Sequence, residues 1–319
     1  MTQFSFRGKG RLFAAALLAA LIGIFTGSAL RADGGWLEGN NNDYPVNTID
    51  SVRAAIEDMI DRFGDDYADG EAYLDELDAL EAEPDRGADW QARFDAFRRR
   101  ALLANPLLDD LKLLVVRSNA MAAPNDNFLT LLKIARSGWD NEFAVVSDLR
   151  SENPTITPIF RPENSRPISE PELHWDGKRV LFTSVSEENG NLAIFEVGLD
   201  GKNLKTLSPT DQPDVNFFDA CYAPDGTIIS CSNAGLQGLP CINGSDLMAN
   251  IYKIDPETKK VRQLTFEQDS DWHPTPLKNG RIMYLRWEYS DIMHYYSRIL
   301  FHMNPDGTNQ AELYGSGSY

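Results

Sequence analysis

One order of elements occurs three times in the second half of the chain. It predicts a mainly β fold, a partial β-propeller preceded by a small helical domain. HWDGKRVLFTS is followed by LAIFEVGLDGKNLKTLSP, YAPDGTIISCS by ANIYKIDPETKKVRQLTF, and LKNGRIMYLRW by RILFHMNPDGTNQAEL. Each copy reads as a D-G or N-G turn, an apolar strand, a variable loop, a second apolar strand, another turn and a short last strand. The opening turn glycines Gly177, Gly226 and Gly280 stand 49 and 54 residues apart, a period that suits four-stranded blades. A sandwich of unrelated hairpins does not account for the matched order. The third observation is helical: from Thr48 to about Leu108 apolar residues recur at intervals of three and four.

Taken in order, the chain opens MTQFSFRGKGRLFAAALLAALIGIFTGSALRADGG. Arg7, Lys9 and Arg11 precede an apolar run from Leu12 to Phe25, and small residues follow, the pattern of a secretory signal peptide. That run is shorter than the roughly 20 residues of a spanning helix. The expectation is a signal peptide over residues 1–32, a periplasmic or secreted protein, and no membrane insertion after signal removal.

Residues 33–110 read as an acidic helical domain. Val52, Ile56, Met59, Ile60 and Phe63 form one apolar stripe, stopped at Gly64. Tyr73, Leu74, Leu77 and Leu80 form a second, and Trp90, Phe94, Phe97 and Ala101 a third, which Asn105-Pro106 ends. Three such helices bury their stripes against one another. Asp50 to Asp89 holds 15 acidic residues against Arg53, Arg62 and Arg86, a net charge of -12 within a chain of net charge -18. A surface of that sign repels nucleic acid and anionic lipid. No D-x-D-x-D-G loop is present, so the acids read as a solvated face and not as a calcium site.

Residues 111–319 read as the propeller part. KLLVVR, EFAVVSDL and TITPIF are β-rich runs, with a partial unit around Asn141 to Phe160 ahead of the three clear ones. The units resemble the blades of TolB-type propellers, which run P-D-G-x-x-I-x-F, then I-Y, then D-G and Q-L-T. A closed propeller takes at least four blades, and an open one leaves exposed sheet edges. The expectation is therefore three to four blades of a truncated ring, completed by further sequence or by a partner.

Longer stretches carry a narrower resemblance. RRRALLANPLLDDLKLLVVR, SGWDNEFAVVSDLR, TDQPDVNFFDACYAPDGTII, GLPCINGSDLMANIY and the segment from FEQDSDWHPTP to AELYGS resemble the hydrazine synthase alpha-subunit family over roughly residues 98–319. They are most similar to exported proteins that share its middle propeller domain. The resemblance implies a protein partner of cytochrome type and, in the synthase itself, c-type haem attached through C-x-x-C-H. This chain contains no C-x-x-C-H, so haem enters only through further sequence or a partner. Two functions stay open: a non-catalytic binding and assembly module, or a subunit of a haem-dependent redox enzyme of the hydrazine synthase type.

The three cysteines, Cys221, Cys231 and Cys241, are spaced by ten, a spacing that also argues against a zinc knuckle. In an oxidising compartment two of them are expected to pair, with Cys231 and Cys241 the candidate disulfide, and three buried thiols the alternative. The richest polar cluster lies in the last two units. Asp271, His273, Glu288 and His294 are candidate ligands for zinc or a non-haem metal, since imidazole and carboxylate suit such ions. Asp219, Asp246, Asp269 and Arg286 are further candidates, all expected in blade-end loops that converge on one face. His174 and His302 read as satisfied strand histidines. No P-loop, G-x-S-x-G or G-x-G-x-x-G occurs, so nucleotide, hydrolase and dinucleotide readings have no support.

Overall fold

The computed structural model describes residues 48–118, 134–240, 243–288 and 298–315. By internal contacts the chain divides into two compact units: one holds Val115–Ala144 and Pro158–Tyr319, the other the residues up to Leu114 together with Val145–Thr157. Among the described residues no helix is long and apolar enough to cross a membrane.

The helical unit is built from α1 (Ile49–Phe63), α2 (Gly70–Glu81) and α3 (Ala88–Leu103). The Thr48 hydroxyl caps α1 by accepting the Ser51 N–H at 3.1 Å, and Gly64, at φ +50°, stops it. Most of the predicted stripes form the core: Val52, Ile56, Met59, Tyr73, Leu77, Leu80, Trp90, Phe94, Phe97 and Ala101 are buried, while Ile60, Phe63 and Leu74 pack against it partly buried. Polar tips inside that core find backbone acceptors, Tyr67 on the Ala101 carbonyl at 2.9 Å and Trp90 on that of Leu80 at 2.8 Å. Gly70 fits because Ile60 and Tyr67 press on it; a Cβ there would meet Ile60 Cγ1 at 2.5 Å.

The β unit has consecutive antiparallel meanders. The three four-stranded sheets are β4 (Ser169–Leu173) to β7 (Lys205–Thr206), β8 (Phe217–Tyr222) to β11 (Val261–Gln263), and β12 (Ser270–Pro276) to β15 (Ala311–Tyr314). These are propeller blades, each with strands paired in sequence order. A three-stranded sheet precedes them: β1 (Leu113–Ser118), β2 (Asn141–Ser147) and β3 (Thr155–Phe160). It gives the partial unit read around Asn141 to Phe160 a further strand.

The opening turns are the same object three times. Gly177, Gly226 and Gly280 sit at φ +66°, +82° and +81°, and each N–H returns to the carbonyl three residues back. Asp176, Asp225 and Asn279 each accept the N–H two residues on, the Asx turn that makes Asp or Asn suit the place. The strand before each turn, which a reading that starts at the turn leaves out, completes the blade.

Consecutive blades bury two seams. Leu181 and Ile194 of one blade pack on Phe217, Ala220 and Tyr222 of the next. Phe218, Cys221, Ile229, Cys231 and Ile251 pack on Trp272, Tyr284, Trp287 and Met303 of the third. Strict alternation would put Phe218 and Ala220 on one face of β8; instead they face opposite seams. A bulge between them inserts one extra residue, Asp219, which belongs to neither face.

Candidate functional site

The bulge recurs in every complete blade. The pairing of β4 with β5 (Arg179–Val185) shifts between Ser169 and Glu172, that of β8 with β9 (Ile228–Ser232) between Phe218 and Ala220, and that of β12 with β13 (Ile282–Trp287) between Trp272 and Thr275. In each shift one non-glycine residue has positive φ: Glu170 at +50°, Asp219 at +52° and His273 at +53°. Each stands seven residues ahead of its turn glycine. A bulge frees a backbone N–H from the ladder, and a buried N–H needs an acceptor.

The preceding blade supplies the acceptor. The Asp219 N–H donates to Glu170 Oε2 at 2.6 Å and to Thr183 Oγ1 at 3.0 Å, and the Thr183 hydroxyl donates to the same Glu170 oxygen at 2.8 Å. One blade on, the His273 N–H donates to Asp219 Oδ2 at 2.7 Å. Cys231, which holds in β9 the register position of Thr183 in β5, has its sulfur 3.8 Å from that oxygen. Glu170, Asp219 and His273 therefore form a row across three consecutive first strands, bound head to tail.

The row differs at its two ends. Asp219 is 9% exposed, and its Oδ2 also lies 2.8 Å from His273 Nδ1. That contact makes Nδ1 the protonated nitrogen and leaves Nε2 outward on a side chain that is 61% exposed. The Asp219 hydrogen bond raises the pKa of His273 against the opposing effect of burial. At the other end burial, with the charge of Asp219 second, pushes the Glu170 carboxyl up to about 8. Near neutral pH Glu170 holds a proton beside an Asp–His pair. Burial likewise raises the Cys221 and Cys231 thiols, which suits packing and not nucleophilic chemistry.

The candidates from sequence are distributed differently from expectation. Asp219, Asp271, His273 and Arg286 were expected in blade-end loops; they lie in strands β8, β12, β12 and β13. The extra first strand of each blade moves them there. Asp271 is fully buried and ion-paired to Arg286 at 2.9 Å. Arg286 stacks 4.5 Å over Phe301 and reaches Gln310 at 3.0 Å, so this pair ties strands of one blade together. Asp269 is buried just ahead of β12 and Glu288 half-buried just after β13. Asp246 folds onto its own loop, accepting the Leu247 N–H at 2.9 Å. Among the described residues no group of three or more His, Cys, Asp or Glu is placed to hold a metal ion.

His294 and Cys241 lie outside the described residues, while Cys221 and Cys231 are free buried thiols. His174 and His302 are satisfied, by the Asp176 N–H at 3.1 Å and by Arg281 Nε at 2.8 Å. Glu170 and Thr183 were missed by sequence reading. The available signal was a polar residue seven places before each turn glycine, interrupting RPIS-E-PEL, NFF-D-ACY and SDW-H-PTP.

No protein-family model and no curated protein matches the chain. Among solved structures it is similar to the hydrazine synthase of Kuenenia stuttgartiensis, with 16% identity, a TM-score of 0.49, and 64% of this chain covered. It is also similar to TolB from Acinetobacter baumannii, at 21% identity and a TM-score of 0.34 over 54% of this chain. A third likeness is the β-propeller domain of the Trilobed protease from Pyrococcus furiosus, at 12% identity and a TM-score of 0.34 over 64%. The chain spans 32%, 40% and 53% of those three chains.

Proposed function

We propose that this chain is an exported, non-catalytic propeller module that binds a protein partner, and that the row Glu170, Asp219 and His273 is its recognition site. A single observation supports the reading. The buried carboxylates Glu196 and Asp271 are consumed in ion pairs within their own blades, with Lys205 and Arg286, whereas the row ends in an exposed imidazole oriented by a buried carboxylate. All three bulge residues share the positive φ, and of the three His273 alone carries an exposed side chain. The resemblance of the sequence to the hydrazine synthase alpha-subunit family makes a cytochrome-type redox protein the class of partner to seek, with haem held by that partner. Export follows from the basic and apolar pattern of residues 1–32.

The test passes periplasmic extract over immobilised wild-type and His273→Ala proteins, with thermal unfolding of both recorded. Retention of one haem protein by the wild type, lost in a variant of unchanged melting temperature, is the expected result. Equal retention by both, or none by either, removes the proposal.

A further inference from the structure

The two seams share a forward side. In the first complete blade Thr183 of β5 pairs with Ile194 of β6 (Leu192–Gly198), whose carbonyl takes the Leu207 N–H at 2.8 Å. In the second, Cys231 of β9 pairs with Ile251 of β10 (Asn250–Ile254), whose carbonyl takes the Leu264 N–H at 2.8 Å. Both columns meet the following blade: Thr183 accepts the Asp219 N–H, and the Cys231 sulfur lies 3.6 Å from the Asp271 carbonyl. No residue of either column is more than 3% exposed. In the third blade the same register gives Leu285, Leu300 of β14 (Ile299–Met303) and Tyr314. Leu285 lies opposite Trp272, the residue before the bulge, as Thr183 lies opposite Ser169 and Cys231 opposite Phe218.

The third column has the composition of a seam and lacks its cover among the described residues. Leu285 and Leu300 are half-buried and Tyr314 is 75% exposed. A sheet face that meets water carries polar residues, and a contiguous apolar patch marks an interaction surface. The other two columns are covered in the same way, by the aromatic face of an antiparallel blade: Phe217 and Tyr222 pack on the first, Tyr284 and Met303 on the second. The established seams therefore specify the chemistry of the missing cover.

The leading sheet of a second copy does not match it. Phe143 of β2 packs edge-to-face on Phe182 of the first complete blade, with ring centroids 5.3 Å apart. Its neighbour Glu142 lies on the opposite side of the strand, paired with Arg117 and Arg161. Seating that side on Leu285, Leu300 and Tyr314 would bury the charges against hydrocarbon. We infer that the Leu285, Leu300 and Tyr314 column is a docking surface, and that it takes a β-propeller blade of the partner protein with the aromatic face of that blade against it. This deepens the reading of the chain as a binding module and rests on it.

The experiment places a benzophenone amino acid at position 314 of the full chain, irradiates it in periplasmic extract and identifies the cross-linked peptides by mass spectrometry. A cross-link to a strand of a propeller blade in another protein is expected. Retention of that protein should fall at least about 10-fold in Tyr314→Lys, the scale of losing an aromatic anchor from an interface. The melting temperature should not change, since Tyr314 is exposed in the free chain. Cross-links within the chain itself, to a second copy, to a helix or loop of another protein, or to nothing overturn the inference, as does equal retention by the Tyr314→Lys variant. Retention that depends on His273 but not on Tyr314 leaves the binding-module reading standing without this surface. A propeller protein cross-linked at position 314 and retained equally by His273→Ala keeps this surface and removes His273 as the recognition site.

Discussion

The helical unit and the blade unit handle polar groups in opposite ways. Three helices satisfy their own backbone, so their core is apolar and their charges stay outside, as in the exposed Arg53–Asp78 and Arg100–Glu76 pairs. The blades bury Glu142, Glu196, Asp219, Asp271 and Arg286. A bulged strand carries N–H groups that its own sheet cannot pair, and the acceptors come from the neighbouring blade. Charge on the helices is therefore a property of the surface, while charge in the blades is buried, tying strands within one blade at Asp271–Arg286 and one blade to the next at Asp219–His273.

The sharpest break of this comparison is Asp219→Ala. It removes the acceptor of the His273 backbone N–H and of its exposed Nδ1–H, and about 3 kcal/mol of stability should be lost in urea unfolding, the upper end of the cost of depriving a backbone donor of a charged acceptor. Asp219→Asn, which keeps one acceptor, should lose less than half of that.

Next in size is the pH dependence. Glu170 is held above its ordinary value of 4.5, at about 8. Its contribution to stability is complete below about pH 4.5 and is lost as pH rises through about 8. His273, also raised, acts with the same sign above its ordinary 6.5. Glu170→Gln should flatten the fall in stability between pH 5 and pH 9 by about 2 kcal/mol, a figure reduced for partial exposure. A fall as steep as in the wild type would show that Glu170 is not the titrating group.

In the helical unit the comparison predicts sensitivity to volume and indifference to charge. Gly70→Ala places a methyl against Ile60 and Tyr67 and should cost about 1–2 kcal/mol by thermal unfolding. Glu76→Ala, which removes the partner of the half-exposed Arg100, should change stability by less than about 1 kcal/mol. A larger loss there than at Gly70 would mean that surface charge carries the helical unit after all.

The helices were legible as stripes because their signal is local. Trp90, Phe94, Phe97 and Ala101 share a face by spacing alone, and all four are buried. The blade repeat was legible for the same reason: an Asp-Gly or Asn-Gly turn encodes its own geometry. Asp271 and His273 were visible as chemistry but misplaced into a loop, because Pro274 and Pro276 mask a strand that a bulge interrupts. Glu170, between Ser169 and Pro171, carried no signal of its own.

By itself the sequence determined the stripes and the turns, which are set by neighbours within a few residues, and the 49- and 54-residue period at which the turns recur. Tertiary structure decided that Glu170, Asp219 and His273 meet, that burial raises the Glu170 carboxyl and that His273 turns its Nε2 outward. Each of those properties depends on hydrogen bonds and burial between residues about fifty apart, and they come into being when one blade closes on the next.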